Sequence, residues 1–205
     1  MTVIGRRICL ALPLLAVRPH RSEAAADPAI LAPARALIEA LLVVMKQGKT
    51  TQFATRVTTL GPVIDRSFDL DAILRASAGS GFAGLEPAQQ EALRVAFRDY
   101  TIASYVHSFD SFNGQRFEVQ PNTRAVANGE QVVMTRIVPV SGETHALDYV
   151  MRASGTAWRV VDVLADGSVS RVAVQRSDFR RLLSLGGAPA LIASLRAKAV
   201  DLAGS

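Results

Sequence analysis

Two different spacings of apolar residues divide the chain. In its first half they recur every three or four positions. Ile30, Leu31, Ala34, Leu37, Ile38, Leu41, Leu42 and Met45 make one such stripe, closed by Gly48, and this spacing predicts a helix with one buried face. Thr50 or Thr51 is placed to cap a second helix through Phe53, Val57 and Leu60. An interruption is expected near Pro62, because proline lacks an amide proton and crowds the preceding turn. Asp69 caps a short helix, DLDAILRAS. After a loop at 79–86, Glu86-Pro87 opens the most regular helix, whose face carries Leu93, Phe97, Tyr100, Ile102, Ser104, Tyr105 and Phe109.

The second half alternates with period two. Strands are predicted at 116–120, 131–140, 144–153, 157–165 and 168–174, with a loop at 122–130 and the turn signals NGE, SGE, SGT and DGS between strands. Alternation puts Trp158, Val160 and Asp162 on one face of the fourth strand and Arg159, Val161 and Val163 on the other. In the third strand Leu147, Tyr149 and Met151 oppose Asp148, Val150 and Arg152. Val161, Val163, Val150 and Ile137 are then expected on the sheet face opposite Trp158 and Tyr149. A helix beginning near Ser177 runs through Phe179, Leu182, Leu183 and Leu185 to Gly186-Gly187, and Pro189 opens a last helix. Helices, then an antiparallel meander of four to five strands, then helices: the order indicates an α+β fold.

The first 26 residues read as an export signal. Arg6 and Arg7 form its positive end, ten apolar positions from Ile8 to Val17 its core, and Ala24 and Ala26 its small-x-small cleavage pattern before Asp27. Residues 27–205 then form a single domain, and no later apolar run is expected to reach membrane-spanning length. Removing Arg6, Arg7, Arg18, Arg21 and Glu23 takes the chain from 23 basic and 18 acidic residues to 19 and 17, a net +2. The high whole-chain isoelectric point therefore resides largely in the leader, and no basic run interleaved with aromatics points to nucleic acid. The sole cysteine, Cys9, is in the leader too. An exported domain without cysteines fits a bacterial periplasm better than a disulfide-stapled extracellular scaffold.

Candidate chemistry is sparse. GSGFAG, residues 79–84, matches G-x-G-x-x-G but follows a predicted helix and lacks a βαβ context, so it reads as a helix connection. After the leader only His107 and His145 remain, with no spacing that implies a metal site, and no cofactor is expected. Asp162, on an apolar strand face, is the one carboxylate that burial would turn into an acid or base. Its structural alternative is pairing with Arg176 or accepting turn amides. Three classes follow: a lipid carrier, a small α+β enzyme acting through Asp162, and an interaction subunit that binds no ligand.

The stretches FATRVTTLGPVIDRSFDLDAI, YVHSFDSFNGQRFEV and HALDYVMRASGTAWRVVDVLADGSVSRVAVQRSDF, followed by a helix with GG and LIASLRAK, resemble the MlaC-type periplasmic lipid-binding family, also called toluene-tolerance auxiliary proteins, with a hopanoid-associated HpnM branch. The resemblance rests on Asp148-Tyr149, W-x-V-x-D-V at 158–163 and R-x-x-F at 176–179. It implies a curved sheet wrapped by helices around an apolar pocket for acyl chains. It also implies a monomer carrying phospholipid or hopanoid, served by an inner-membrane MCE/ABC transporter and an outer-membrane lipoprotein complex. Phe97, Tyr105, Phe109, Ile137, Leu147, Tyr149, Met151, Trp158, Val161, Val163, Phe179 and Leu183 are the lipid-binding candidates.

Overall fold

The computed structural model describes residues 26–204, so the leader assignment falls almost wholly outside the described residues. Helix α1, Pro28–Gln47, starts where the Asp27 side chain accepts the Ala29 amide at 2.9 Å and stops at Gly48, whose φ of 62° suits a residue without Cβ. Contrary to the expectation above, α1 is long and apolar enough to cross a membrane. Its stripe of Leu31, Ala34, Leu37, Leu41 and Val44 is buried in the protein's own core, as in a core helix.

Helix α2, Phe53–Ser67, runs through Pro62 without the expected interruption. Leu60 and Ile64, on either side of the proline, are fully buried. Packing of that face outweighs one lost backbone bond. Asp69 caps α3, Leu70–Ala78, through the Ala72 amide at 2.9 Å. A single turn, α4 (Ser80–Ala83), lies inside the predicted 79–86 loop. The GSGFAG stretch therefore connects helices. α5, Pro87–Ser108, opens with proline at its first position and a capping box between Glu86 and Gln89.

The sheet is a five-stranded antiparallel meander in the order β1-β2-β3-β4-β5: Arg116–Ala125, Gln131–Val138, His145–Ser154, Ala157–Ala165 and Val169–Ser170. β1 is twice the expected length and extends into the predicted 122–130 loop. The Asp166-Gly167 turn between β4 and β5 has both residues at positive φ, 50° and 72°, as tight hairpins require.

The predicted fifth strand is mostly helix. Only Val169 and Ser170 pair with β4; α6, Arg171–Gly204, begins six residues before Ser177. Ser170 is its cap, with the hydroxyl oxygen accepting the Ala173 amide at 2.9 Å. α6 breaks into two arms at Gly186 and Gly187, where Gly187 has φ 63°, the position at which a helix end was expected.

A register shift between β3 and β4 rearranges the faces. Tyr149 pairs with Val163 and Val150 with Asp162, but Met151 pairs with Val160, which leaves Val161 as the extra residue. Tyr149, Met151, Val160 and Val163 consequently share the main core, while Val161 joins Val132 and Val150 in a small cluster of its own. Of Val161, Val163, Val150 and Ile137, expected together opposite Tyr149, Val161 and Val150 do share a cluster, but Val163 sides with Tyr149 in the main core, because simple alternation cannot register a bulge.

Candidate functional site

Helical spacing brings Phe97, Tyr100, Thr101, Ser104, Tyr105 and Ser108 to one side of α5, Phe109 follows as its C-cap, and all seven line a cavity of about 290 Å³. The sheet supplies another wall: Ile137 of β2, Leu147 of β3, and Asp162, Val163 and Ala165 of β4. Leu147 pairs with Ala165 across the ladder and Tyr149 with Val163, so inward side chains of the two strands stand next to each other. Phe68, Leu70 and Ile73 close one side, and Arg171, Val172 and Gln175 from the first turns of α6 close another.

Rings hold these walls apart. Phe68 meets Tyr105 edge-on at 5.6 Å, Tyr105 stacks on Phe109 at 5.9 Å, and Phe109 tilts against Phe117 at 6.1 Å. Such contacts brace one ring on the next and cannot bend to fill the space beside them. The Tyr105 and Tyr149 hydroxyls bond to each other, and burial pushes both groups above the ordinary tyrosine range, so they stay neutral at any physiological pH. At Tyr105 the charge of Arg171 opposes that push.

The polar groups of the lining are mostly engaged. Thr101 and Ser104 donate to the carbonyls of Phe97 and Tyr100 one turn back, at 2.8 and 2.7 Å. Asp162 accepts the Val163 amide at 2.7 Å, the Val172 amide at 3.1 Å and the Ser170 hydroxyl. It ties β4 to β5 and to the start of α6. Arg176, the partner considered for it, instead donates to the Ala76 carbonyl at 2.8 Å. Asp148, beside Tyr149, is buried and accepts the Thr135 amide at 3.0 Å, with Arg136 at 3.6 Å. Among the described residues no group of three or more histidines, cysteines or carboxylates is placed to hold a metal.

Of the twelve sequence candidates, the structure brings Phe97, Tyr105, Phe109, Ile137, Leu147 and Val163 together on the cavity wall. Tyr149 stands behind Tyr105, and Phe179 meets Phe97 edge-on at 6.1 Å, also behind the wall. Met151 is fully buried in the core, Trp158 is half-buried against it, Val161 belongs to the separate cluster, and Leu183 packs near Gly81. None of these six lines the cavity. Sequence reasoning missed Phe68, Leu70 and Ile73, since the short helix DLDAILRAS and the residue before it were given no role in the pocket, and Arg171, Val172 and Gln175, in and just after the mistaken fifth strand.

Comparison with known proteins gives two results. The sequence profile of the MlaC protein family matches residues 35–197. A solved phospholipid-binding protein from Ralstonia solanacearum, in complex with a phospholipid, superposes with a TM-score of 0.73 at 22% identity, over 87% of this chain and 99% of that one. The shared architecture is the α+β fold described above.

Proposed function

The chain belongs to the MlaC protein family, and from that premise we propose that it is a periplasmic lipid carrier whose cargo chain occupies the cavity between α5, the sheet and α6. The observation that carries this reading is the cavity: about 290 Å³ walled by Phe97, Phe109, Leu147 and Val163, in a domain with a densely filled core elsewhere. The volume sits at the lower end of the range for small-molecule sites, roughly 300–1,000 Å³. A two-chain lipid needs more room, so loading requires the walls to part. The related fold bound to a phospholipid supports the same cargo class.

Energetics give the carrier its logic. Each buried methylene is worth ~0.8 kcal/mol, so a sixteen-carbon chain held out of water corresponds to ~10 kcal/mol or more. Cargo bound that firmly leaves only through a continuous apolar path. Docking to an inner-membrane MCE/ABC transporter and to an outer-membrane lipoprotein complex, the partners implied by the family, supplies that path. Residues 1–26 direct export and are then removed, and residues 27–205 act as one domain. Asp162 serves as an anchor for α6 in this reading, with its carboxylate taken up by two amides and a hydroxyl.

Native mass spectrometry of the purified chain tests the proposal. The expected result is a protein mass carrying one lipid adduct, released as phospholipid or hopanoid on organic extraction. A chain that stays lipid-free after purification and after incubation with lipid–detergent micelles overturns it.

A further inference from the structure

Among the described residues that line the cavity, Arg171 is the only cation and Asp162 the only carboxylate. Their situations differ. The Asp162 oxygens are occupied by the Val163 and Val172 amides and the Ser170 hydroxyl. Arg171 is exposed and has no hydrogen bond or carboxylate partner among the described residues, yet its charge is felt at the buried Tyr105 hydroxyl. One helical turn on, Gln175 also lines the cavity, and its side-chain oxygen accepts the Ser77 hydroxyl at 3.1 Å. That bond turns the amide so that its two N–H donors point away from Ser77, and they too have no partner among the described residues. Positions four apart on a helix share a face. A guanidinium without a carboxylate partner and an amide whose N–H donors are unengaged therefore stand together where a mainly apolar cavity meets solvent.

We infer that Arg171, assisted by Gln175, receives the phosphodiester of a phospholipid head group while the acyl chain lies against Phe109 and Leu147. This deepens the carrier reading and rests on it: the cargo is a lipid with an anionic phosphate, chosen over a neutral lipid with the same chains. The fork of an arginine matches two phosphate oxygens at once, and an amide donor adds a third contact. An apolar cavity alone does not discriminate between lipids that differ only in the head. Discrimination falls to these two side chains.

The purified chain is equilibrated with detergent micelles that hold equal amounts of dioleoylphosphatidylglycerol and dioleoylglycerol, then re-isolated, and its bound lipid is counted by mass spectrometry. Detergent provides the exchange path that docking provides in the cell. The chain is expected to favour the phosphodiester lipid roughly tenfold or more, the scale of hydrogen bonds to a charged group. Arg171→Gln should bring the ratio close to one through loss of dioleoylphosphatidylglycerol uptake, and Arg171→Lys should retain an intermediate preference. Because the Arg171 side chain is exposed, an unchanged thermal midpoint in both variants shows that the fold is intact. Equal uptake of the two lipids by the unaltered chain, or an undiminished ratio in Arg171→Gln, overturns the inference while leaving the carrier reading in place. Uptake of neither lipid removes the carrier reading itself. An inorganic-phosphate titration separates the two sources of the anion. Phosphate that binds through Arg171 while both lipids load equally marks a free-anion site and overturns the lipid assignment.

Discussion

One contiguous apolar interior is filled in two ways. At the α1 end, Leu37, Leu41, Leu60, Ile64, Met151 and Val160 all reach zero exposure. At the α5–α6 end, residues of the same cluster, Phe68 and Phe97 among them, border open space. The difference is one of shape. Branched and flexible aliphatic side chains from two helices and a sheet interdigitate until no gap remains. Rings braced on one another at 5.6 to 6.1 Å keep the walls apart. Apolar content therefore shows that a surface is buried, but not what it is buried against.

Truncation should separate the two ends most sharply. Leu41→Ala opens a hole in the filled end, and core changes of this kind cost about 2–5 kcal/mol. Phe109→Ala enlarges a space that already exists, so fewer protein contacts are lost for the area removed, and the cost should be less than half that of Leu41→Ala. Urea unfolding of the two variants measures both. Equal losses would mean that the cavity end is as tightly packed as the other, and the comparison would fail.

A charge sharpens the same contrast from the ligand side. Val163 is 9% exposed and lies on the sheet wall beside Leu147 and Ala165. Val163→Arg places a guanidinium where a chain would lie, and the cost of burying it should lower lipid occupancy roughly tenfold or more. Val163→Ala should change occupancy little. If the arginine variant keeps its thermal midpoint and its full lipid load, the cavity wall has been misassigned.

Much of this architecture was legible in the sequence, and the failures share a cause. Helical stripes at 30–45 and 93–109 predicted α1 and α5, and with them Phe97, Tyr105 and Phe109, because three-to-four spacing survives any tertiary context. Leu147 followed from strand alternation, whereas Ile137, which alternation set on the opposite face, lies on the same cavity wall as Leu147. Val161 and Val163 were placed together because one bulge between Val150 and Met151 changes faces without changing composition. Arg171 and Gln175 were lost because V-S-R-V-A-V alternates like a strand. The helix starts there because Ser170 caps it and Asp162, eight residues earlier, takes the Ser170 hydroxyl and the Val172 amide. Long-range hydrogen bonds of this kind leave no periodic trace. Trp158 came in through the W-x-V-x-D-V motif, and a motif carries no information about which wall a side chain reaches.

Asp162 is where the cavity wall is tied to α6, so weakening it should loosen the cavity end and leave the α1 end untouched. Asp162→Asn removes the charge that attracts two amides and a hydroxyl but keeps one acceptor. Charge-assisted bonds of this sort are worth about 1.5–3 kcal/mol and neutral ones about 1 kcal/mol, so a loss of about 1–2 kcal/mol is expected. Hydrogen exchange should locate it: faster exchange at the Val172 and Ala173 amides, with no change in α1. A variant with unaltered exchange at those amides would show that Ser170 alone sets the start of α6.

The smallest effect belongs to the boundary between the two ends, where Tyr149 is 1% exposed and its hydroxyl meets that of Tyr105 on the cavity wall. Burial raises both groups above the ordinary value of 10.0. In the folded chain they hold their protons to higher pH than in the unfolded chain. Their contribution to stability is therefore complete below pH ~10 and declines as pH rises past the unfolded value. Tyr149→Phe leaves the Tyr105 hydroxyl without this partner, at a cost of about 1 kcal/mol at neutral pH. It also removes one of the two titrations, so stability should fall less steeply between pH 9 and 11 than in the unaltered chain. Thermal midpoints recorded across that range give the two slopes. Parallel slopes would mean that Tyr149 exchanges its proton as freely folded as unfolded, and the boundary would then be open to water.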